Sequence, residues 1–150
     1  MKTFKLEITT PERVVYSDEV DSVTLPTVNG EITVLAHHLP IVTVLKAGEL
    51  VIRKAGQEMP FAVAGGFAQV EPKKLVILAD SAERFDEIDE QRAEEARRRA
   101  EELKKTVATD DVQFAQLAGR IDRELARLKV VRKYKHRGHI GITQEGIQKE

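Results

Sequence analysis

The residues able to do chemistry in this chain are few, and most of them are charged. His37-His38 is the histidine pair of the first half, and Glu31 or Glu49 could complete a metal site around it. Adjacent side chains on an extended segment point to opposite faces, so such a pair rarely shares one ion, and the spacing argues for ordinary loop structure. Gly65-Gly66 follows an apolar run, but no helix opens behind it, so a dinucleotide-binding turn is excluded and a tight hairpin turn is expected. No serine, histidine and acid combination stands out, and the chain has 0 cysteines, which removes disulfides, thiolate metal sites and thiol nucleophiles. What remains is arginine and lysine. Arg120, Arg123, Arg127, Lys129 and Arg132 crowd one short stretch with only Asp122 and Glu124 among them as acids, which predicts one strongly basic flank if the stretch is helical. Its chemistry would be charge-assisted bonding to carboxylate or phosphate. Lys135, His136, Arg137 and His139 follow; they could touch phosphate, but without a stacking aromatic series a frayed, mobile terminus is expected over 134–150.

The elements that must carry these groups are legible from periodicity. Ala93, Ala96, Ala100, Leu103 and Val107 recur at steps of three and four, a heptad stripe on a helix. Phe114, Ala118, Ile121, Leu125 and Leu128 repeat the rhythm, with Asp110 and Asp111 before them and Lys129, Arg132 and Lys133 after, matching the helix macrodipole. Thr106 to Thr109 is a tight turn between them, so the two arms run antiparallel. Asp89 is placed as the N-cap of the first arm, with Ile88 stapled onto Ala93. Glu94 with Arg98, Glu95 with Arg99 and Glu101 with Lys105 are expected as acid-first pairs. Three of the five first-arm stripe residues are alanine, so little apolar surface leaves water when the arms close, and the pair has the makings of a moving element.

From Phe4 to Asp80 the period is two. Phe4, Leu6 and Ile8 alternate with polar residues; Val14–Tyr16 and Val20–Leu25 follow, with a bulge or corner expected at Ser17-Asp18-Glu19. Further runs at Glu31–Leu35, Ile41–Leu45, Glu49–Lys54, Pro60–Ala64, Phe67–Glu71 and Lys74–Ala79 are separated by turn residues such as Asn29-Gly30, Ala55-Gly56 and Pro72-Lys73. Composition turns from β-branched to Ala, Glu and Arg near Ser81–Asp86. The fold class expected is therefore β + α: an N-terminal antiparallel β-sandwich (flattened barrel) over 1–84, then an antiparallel two-helix hairpin over 85–133.

With 24 basic and 25 acidic residues among 150 and a net charge of −1, no global field recruits nucleic acid or an anionic membrane. No segment is apolar and long enough to cross a bilayer, and no leader pattern opens the chain. A soluble, cytoplasmic protein is expected.

Four stretches carry a resemblance: TPERVVYSDEVDSVTLPTVNGEI, HHLPIVTVLKAGEL, FAVAGGFAQVEPKKLVILAD and IDEQRA. In this order they resemble the epsilon subunit of the bacterial F-type ATP synthase. Ala36 stands where many members have proline, and the tail beyond Arg132 is longer and more basic than is usual in the family. The resemblance implies a non-catalytic central-stalk subunit joining gamma to the ring of membrane c subunits, with His38, Leu39, Pro40 and Ile41 as the ring contact. It implies no required cofactor, no metal and no direct membrane insertion. It also implies a peripheral position on the cytoplasmic face of the bacterial membrane.

In this family the hairpin either folds on the sandwich or extends along gamma to the alpha and beta subunits, where it blocks hydrolysis. The basic flank of Arg120, Arg123, Arg127, Lys129 and Arg132 would then meet an acidic segment of beta. IDEQRA fits the family's ATP-binding pattern, which makes ATP a candidate regulatory ligand. Asp89, Arg92 and Ala93 match the pattern directly; Glu83, Ile88, Arg99, Arg123 and Arg127 are assigned by position. The reading from another class is a free-standing β-sandwich adaptor that dimerises through Phe114–Leu128.

Overall fold

The computed structural model describes residues 2–145, of which 136 and 138–145 are described by backbone alone. Eight strands come first: β1 (Phe4–Thr9), β2 (Val14–Val20), β3 (Ser22–Thr27), β4 (Gly30–Leu35), β5 (Ile41–Leu45), β6 (Gly48–Lys54), β7 (Gln57–Val70) and β8 (Lys74–Arg84). A 3-10 turn at Phe85–Glu87 leads to α1 (Glu90–Lys104) and α2 (Val112–Glu145). The sheet runs β2-β1-β8-β7-β5-β3-β4, and β6 bridges β3 to β7. Pairing of β7 with both β5 and β6 folds the sheet over on itself as the expected sandwich. Alternation does the rest: β1 reads buried and half-buried in strict turn, and its Leu6 and Ile8 meet Leu25, Leu50, Ile52, Phe61, Leu75 and Ile77 in a fully buried core.

Several sequence expectations are corrected here. The pairing is not wholly antiparallel, because β1 lies parallel to β8, Leu6 opposite Leu75. The corner after β2 falls at Asp21, whose carboxylate accepts the Ala55 N–H at 2.7 Å, while the irregular register is in β1 at Ile8/Thr9. Gly65-Gly66 is not a hairpin turn but the midpoint of one long strand. Before it β7 pairs with β6, and after it with β5. Glycine is needed at both positions, which have φ of 68° and 121°; a Cβ on Gly66 would overlap the Leu78 carbonyl oxygen and lie 2.8 Å from the Ala79 Cα.

The hairpin differs more. Lys104 ends α1 and Val112 begins α2, so the connection is longer than Thr106–Thr109; within it Asp111 Oδ1 accepts the Gln113 N–H at 2.9 Å. Helix α2 runs on to Glu145, so Lys129, Arg132 and Lys133 are interior residues, and 134–145 is helix where a frayed tail is expected; 146–150 lie outside the described residues. The expected stripe is only half used. Leu117, Ile121 and Ala100 pack with Val107 inside the hairpin, whereas Leu103 is 54% and Leu125 45% exposed. A second face of α2 sets Val130 and Val131 against Ile88 and Ala62 of β7, with Phe85 and Tyr134 at the edge. Ile88 thus anchors the hairpin to the sandwich as well as preceding the cap. Among the ion pairs of α1, Arg97 holds both Glu94 and Glu101, at i−3 and i+4, in place of the three acid-first pairs. Arg97 lies on the side of α1 that bears Glu94 and Glu101, and Glu94 is further engaged from α2 by Arg132 at 3.1 Å.

Candidate functional site

Docking of α2 on the sandwich brings the chain's charged groups together. Asp89 is the N-cap of α1, its Oδ1 accepting the Arg92 N–H at 3.2 Å. Along α2, Arg127 is mostly buried between two carboxylates. Its Nη1 donates to Glu124 Oε2 at 2.8 Å and its Nη2 to Glu83 Oε1 at 3.2 Å. Its Nε lies 2.6 Å from Glu83 Oε2 as a charge contact off the N–H axis. Burial works against the Arg127 charge, but Glu83 and Glu124 outweigh it and raise the pKa above the usual guanidinium value. One turn on, Arg132 bonds Glu90 and Glu94 of α1, each at 3.1 Å, and with Lys135 it holds the Glu90 carboxyl below the ordinary carboxylate range. Finally Glu49 of β6 accepts from Lys133 Nζ at 3.0 and 3.1 Å and from Tyr134 Oη at 2.5 Å.

The residues singled out from sequence are therefore dispersed. Ile88 and Asp89 border an open groove of about 530 Å³ with Glu90, Glu94 and Arg132. Arg120 and Arg123 face a different groove of about 670 Å³, between α2 and Lys46, Gly65, Asp80 and Ser81. Arg127 and Glu83 are bonded to one another, Ala93 is buried, and Arg92 and Arg99 point to solvent. The five expected flank cations do not form one face. Arg120, Arg123 and Arg127 share a side at i, i+3 and i+7, but Lys129 borders Pro26 and Glu31, and Arg132 turns to α1. His37 takes a φ of 64°, its N–H donating to the Pro72 carbonyl at 2.8 Å, and His38 Nδ1 sits 2.7 Å from the Leu39 carbonyl oxygen. No cluster able to hold a metal occurs among the described residues.

Two features were missed in the sequence. Glu124 is counted there as an interruption of the basic run, yet it is 8% exposed and half of the Arg127 pairing. The other is an apolar stripe on the outer face of the sandwich. Val44 stands opposite Phe67, and Phe67 opposite Leu78, at exposures of 43%, 56% and 55%. Val42 and Leu39 extend it toward the His38 loop, both more exposed still. The signal was present in Ile41-Val42-Thr43-Val44-Leu45, which is apolar on both faces where a half-buried strand should alternate.

The family model for the ATP synthase delta/epsilon chain β-sandwich domain matches residues 3–85, and that for the delta/epsilon chain long α-helix domain matches 86–132. An ATP synthase epsilon chain of Herpetosiphon aurantiacus is 48% identical over 134 residues, covering 89% of this chain and 97% of that one. The chain belongs to the ATP synthase epsilon-chain family. A Dehalococcoides mccartyi epsilon chain is 44% identical over 133 residues, covering 89% of this chain and 95% of its own. The fold recurs in a cryo-EM structure of Euglena gracilis mitochondrial ATP synthase, OSCP/F1/c-ring in rotational state 1. The TM-score is 0.68 and the identity 24%, over 80% of this chain and 76% of that one. It recurs again in the central stalk/c-ring structure of Tetrahymena thermophila mitochondrial ATP synthase, with TM-score 0.62 and 16% identity over 87% and 97%.

As an epsilon-chain family member this protein is an epsilon subunit of an F-type ATP synthase. The adaptor reading loses its basis. Ile121 and Leu128, on the face assigned to a dimer, are already buried within the chain.

Proposed function

We propose that this subunit is a non-catalytic rotor component that couples gamma to the c-ring and regulates ATP hydrolysis through its hairpin. The observation that carries the coupling role is the exposed stripe Val42, Val44, Phe67 and Leu78, continued by Leu39 beside His38 and Pro40, with Ile41 exposed on the other face of β5. A contiguous apolar patch on a sheet is a partner surface. It lies on strands rather than on the hairpin, so the partner can stay bound while the hairpin moves. Among the described residues no helix is long and apolar enough to cross a membrane, which fits a peripheral subunit on the cytoplasmic face of the bacterial membrane, touching the membrane only through the c-ring. Val44→Glu with Phe67→Glu, both on exposed positions, is expected to leave the melt unchanged and weaken binding to gamma by roughly 100-fold, the scale of a central hot spot. Retained affinity in a pull-down or calorimetric titration removes the stripe as the gamma surface.

The regulatory role takes ATP as ligand of the folded hairpin and the alpha and beta subunits as partners of the extended one. Arg127 and Arg132 are bonded to carboxylates of β8 and α1 when the hairpin is docked, so extension would release Arg132 from α1 and leave Arg127 with only Glu124 of its own helix, presenting both, with Arg120, Arg123 and Lys129, to an acidic surface on beta. ATP would have to draw Arg127 away from Glu83 and Glu124, so its affinity is expected to be modest. Calorimetry should show binding that falls at least tenfold in Arg92→Ala, the motif arginine that points to solvent. No heat in the wild type, or equal affinity in both, removes ATP from the reading.

A further inference from the structure

The family's long α-helix domain matches this chain only to residue 132, yet α2 continues, and the turn just past the match grips the sandwich. Lys133 Nζ donates to both oxygens of Glu49, and Tyr134 Oη to one of them. The Tyr134 ring packs on Phe85 at 5.7 Å between centroids. The Arg137 guanidinium lies 5.4 Å from the Tyr134 ring centroid and 3.8 Å from Glu58 Oε2. On the other side of the same turn, Lys135 Nζ reaches Glu90 Oε2 of α1 at 3.4 Å. Lys133, Tyr134, Lys135 and Arg137 thus bind strand β6, helix α1 and strand β7 at once. The Glu49 side chain is only 10% exposed, and the groups that replace its water come from α2; they are charge-assisted donors, about twice as strong as neutral ones. Burial, then Glu49, pushes the Tyr134 hydroxyl pKa up, so it remains a donor across the physiological range.

We propose that Lys133, Tyr134, Lys135 and Arg137 form a clasp, lying past the stretch that the family's helix-domain model matches, that holds the hairpin folded on the sandwich without any ligand, with Glu49 as its receptor. The proposal deepens the regulatory reading above and rests on it for its consequence: a clasp biases the hairpin toward the docked form. The Arg127 contacts hold the middle of α2, and the clasp holds its far side, so opening requires both to break.

The full chain has no cysteine or tryptophan, so cysteines at the exposed positions Glu12 and Thr109 accept a pair of spin labels cleanly. Their distance distribution reports docking. Lys133→Ala with Tyr134→Phe is expected to raise the undocked fraction at least tenfold. Adding Glu49→Gln to that pair should change little, because the three residues act on one contact. Glu49→Lys with Lys133→Glu should recover much of the docked fraction lost in either single variant. An unchanged distribution in the first variant overturns the clasp. So does loss of the sandwich's cooperative melt in both that variant and the charge swap, since the turn would then be core and not a releasable contact. Hydrolysis by the assembled enzyme separates the two readings. Undocking in the isolated chain with unchanged hydrolysis keeps the clasp and removes regulation by the hairpin, whereas unchanged docking removes the clasp whatever hydrolysis does.

Discussion

Replacing Arg127 with leucine is expected to release the hairpin from the sandwich while leaving the sandwich folded. The substitution strands Glu124, 8% exposed, and Glu83 of β8 without their shared cation. Removing one partner of a largely buried ion cluster costs roughly 3 kcal/mol, because the carboxylates left behind must be rehydrated or protonated. The opposing apolar contact is small: Ala62, Ile88, Val130 and Val131, edged by Phe85 and Tyr134. Each fully buried valine contributes about 1.5 to 3 kcal/mol, so the loss is comparable to a whole anchor residue. Amide exchange over the first half of α2 should therefore accelerate by roughly 100-fold, a factor of ten for each 1.4 kcal/mol, with core strands such as β8 unchanged. A second substitution decides the cause. Glu124→Leu in the Arg127→Leu background should recover part of the loss, since an apolar pair leaves no orphaned charge on α2. Wild-type exchange in the single variant would show that the Arg127 contacts do not hold the hairpin. The result also bears on any charge-reversal study of Arg120, Arg123 and Arg127. Reversing Arg127 removes a cation that the extended form could use, but it also undocks the folded form, so only Arg120 and Arg123 report on the extended state alone.

Gly66→Ala should be among the most damaging single substitutions in the sandwich. The position combines a φ of 121° with a Cβ site overlapping the Leu78 carbonyl oxygen and 2.8 Å from the Ala79 Cα. Neither neighbour can yield, because both are backbone atoms of β8, paired with β7 over most of its length. Strain at such a φ and overpacking against backbone each cost on the order of 1 to 3 kcal/mol. Together they should lower the midpoint of the sandwich melt by about 10 °C or more. Gly30→Ala is the internal comparison: its φ of 117° is similarly disfavoured, but a Cβ there meets nothing within 4 Å, so it carries the conformational cost without the clash. Equal melting of the two variants would mean that steric overlap at the strand midpoint contributes nothing.

The fold class, the change from strand to helix near Ser81–Asp86, the Asp89 cap and the turns at Gly30 and Gly56 were legible in the residues, because each is set by local physics. Period-two alternation, a capping carboxylate and a glycine at positive φ all act within a few residues. The family was legible for the same reason, in contiguous stretches from TPERVVYSDEV to IDEQRA. Strand identity through Gly65-Gly66 was not, because two glycines look alike whether they turn a chain back or let one strand cross between two partners; only the pairing of β7 with β6 and then β5 decides. Nor could the sequence say which cations are free. Arg127 and Lys129 are two residues apart in one basic run, yet Arg127 is clasped by Glu83, distant in the chain, while Lys129 borders an open groove. Ion pairing spans whatever the fold brings within about 4 Å, and sequence spacing predicts it only along one helix. Glu49 makes the same point. It stands in the sequence as a stray acid beside a histidine pair, and tertiary structure alone places it under Lys133 and Tyr134, where a buried carboxylate needs cations that only the packed helix can supply.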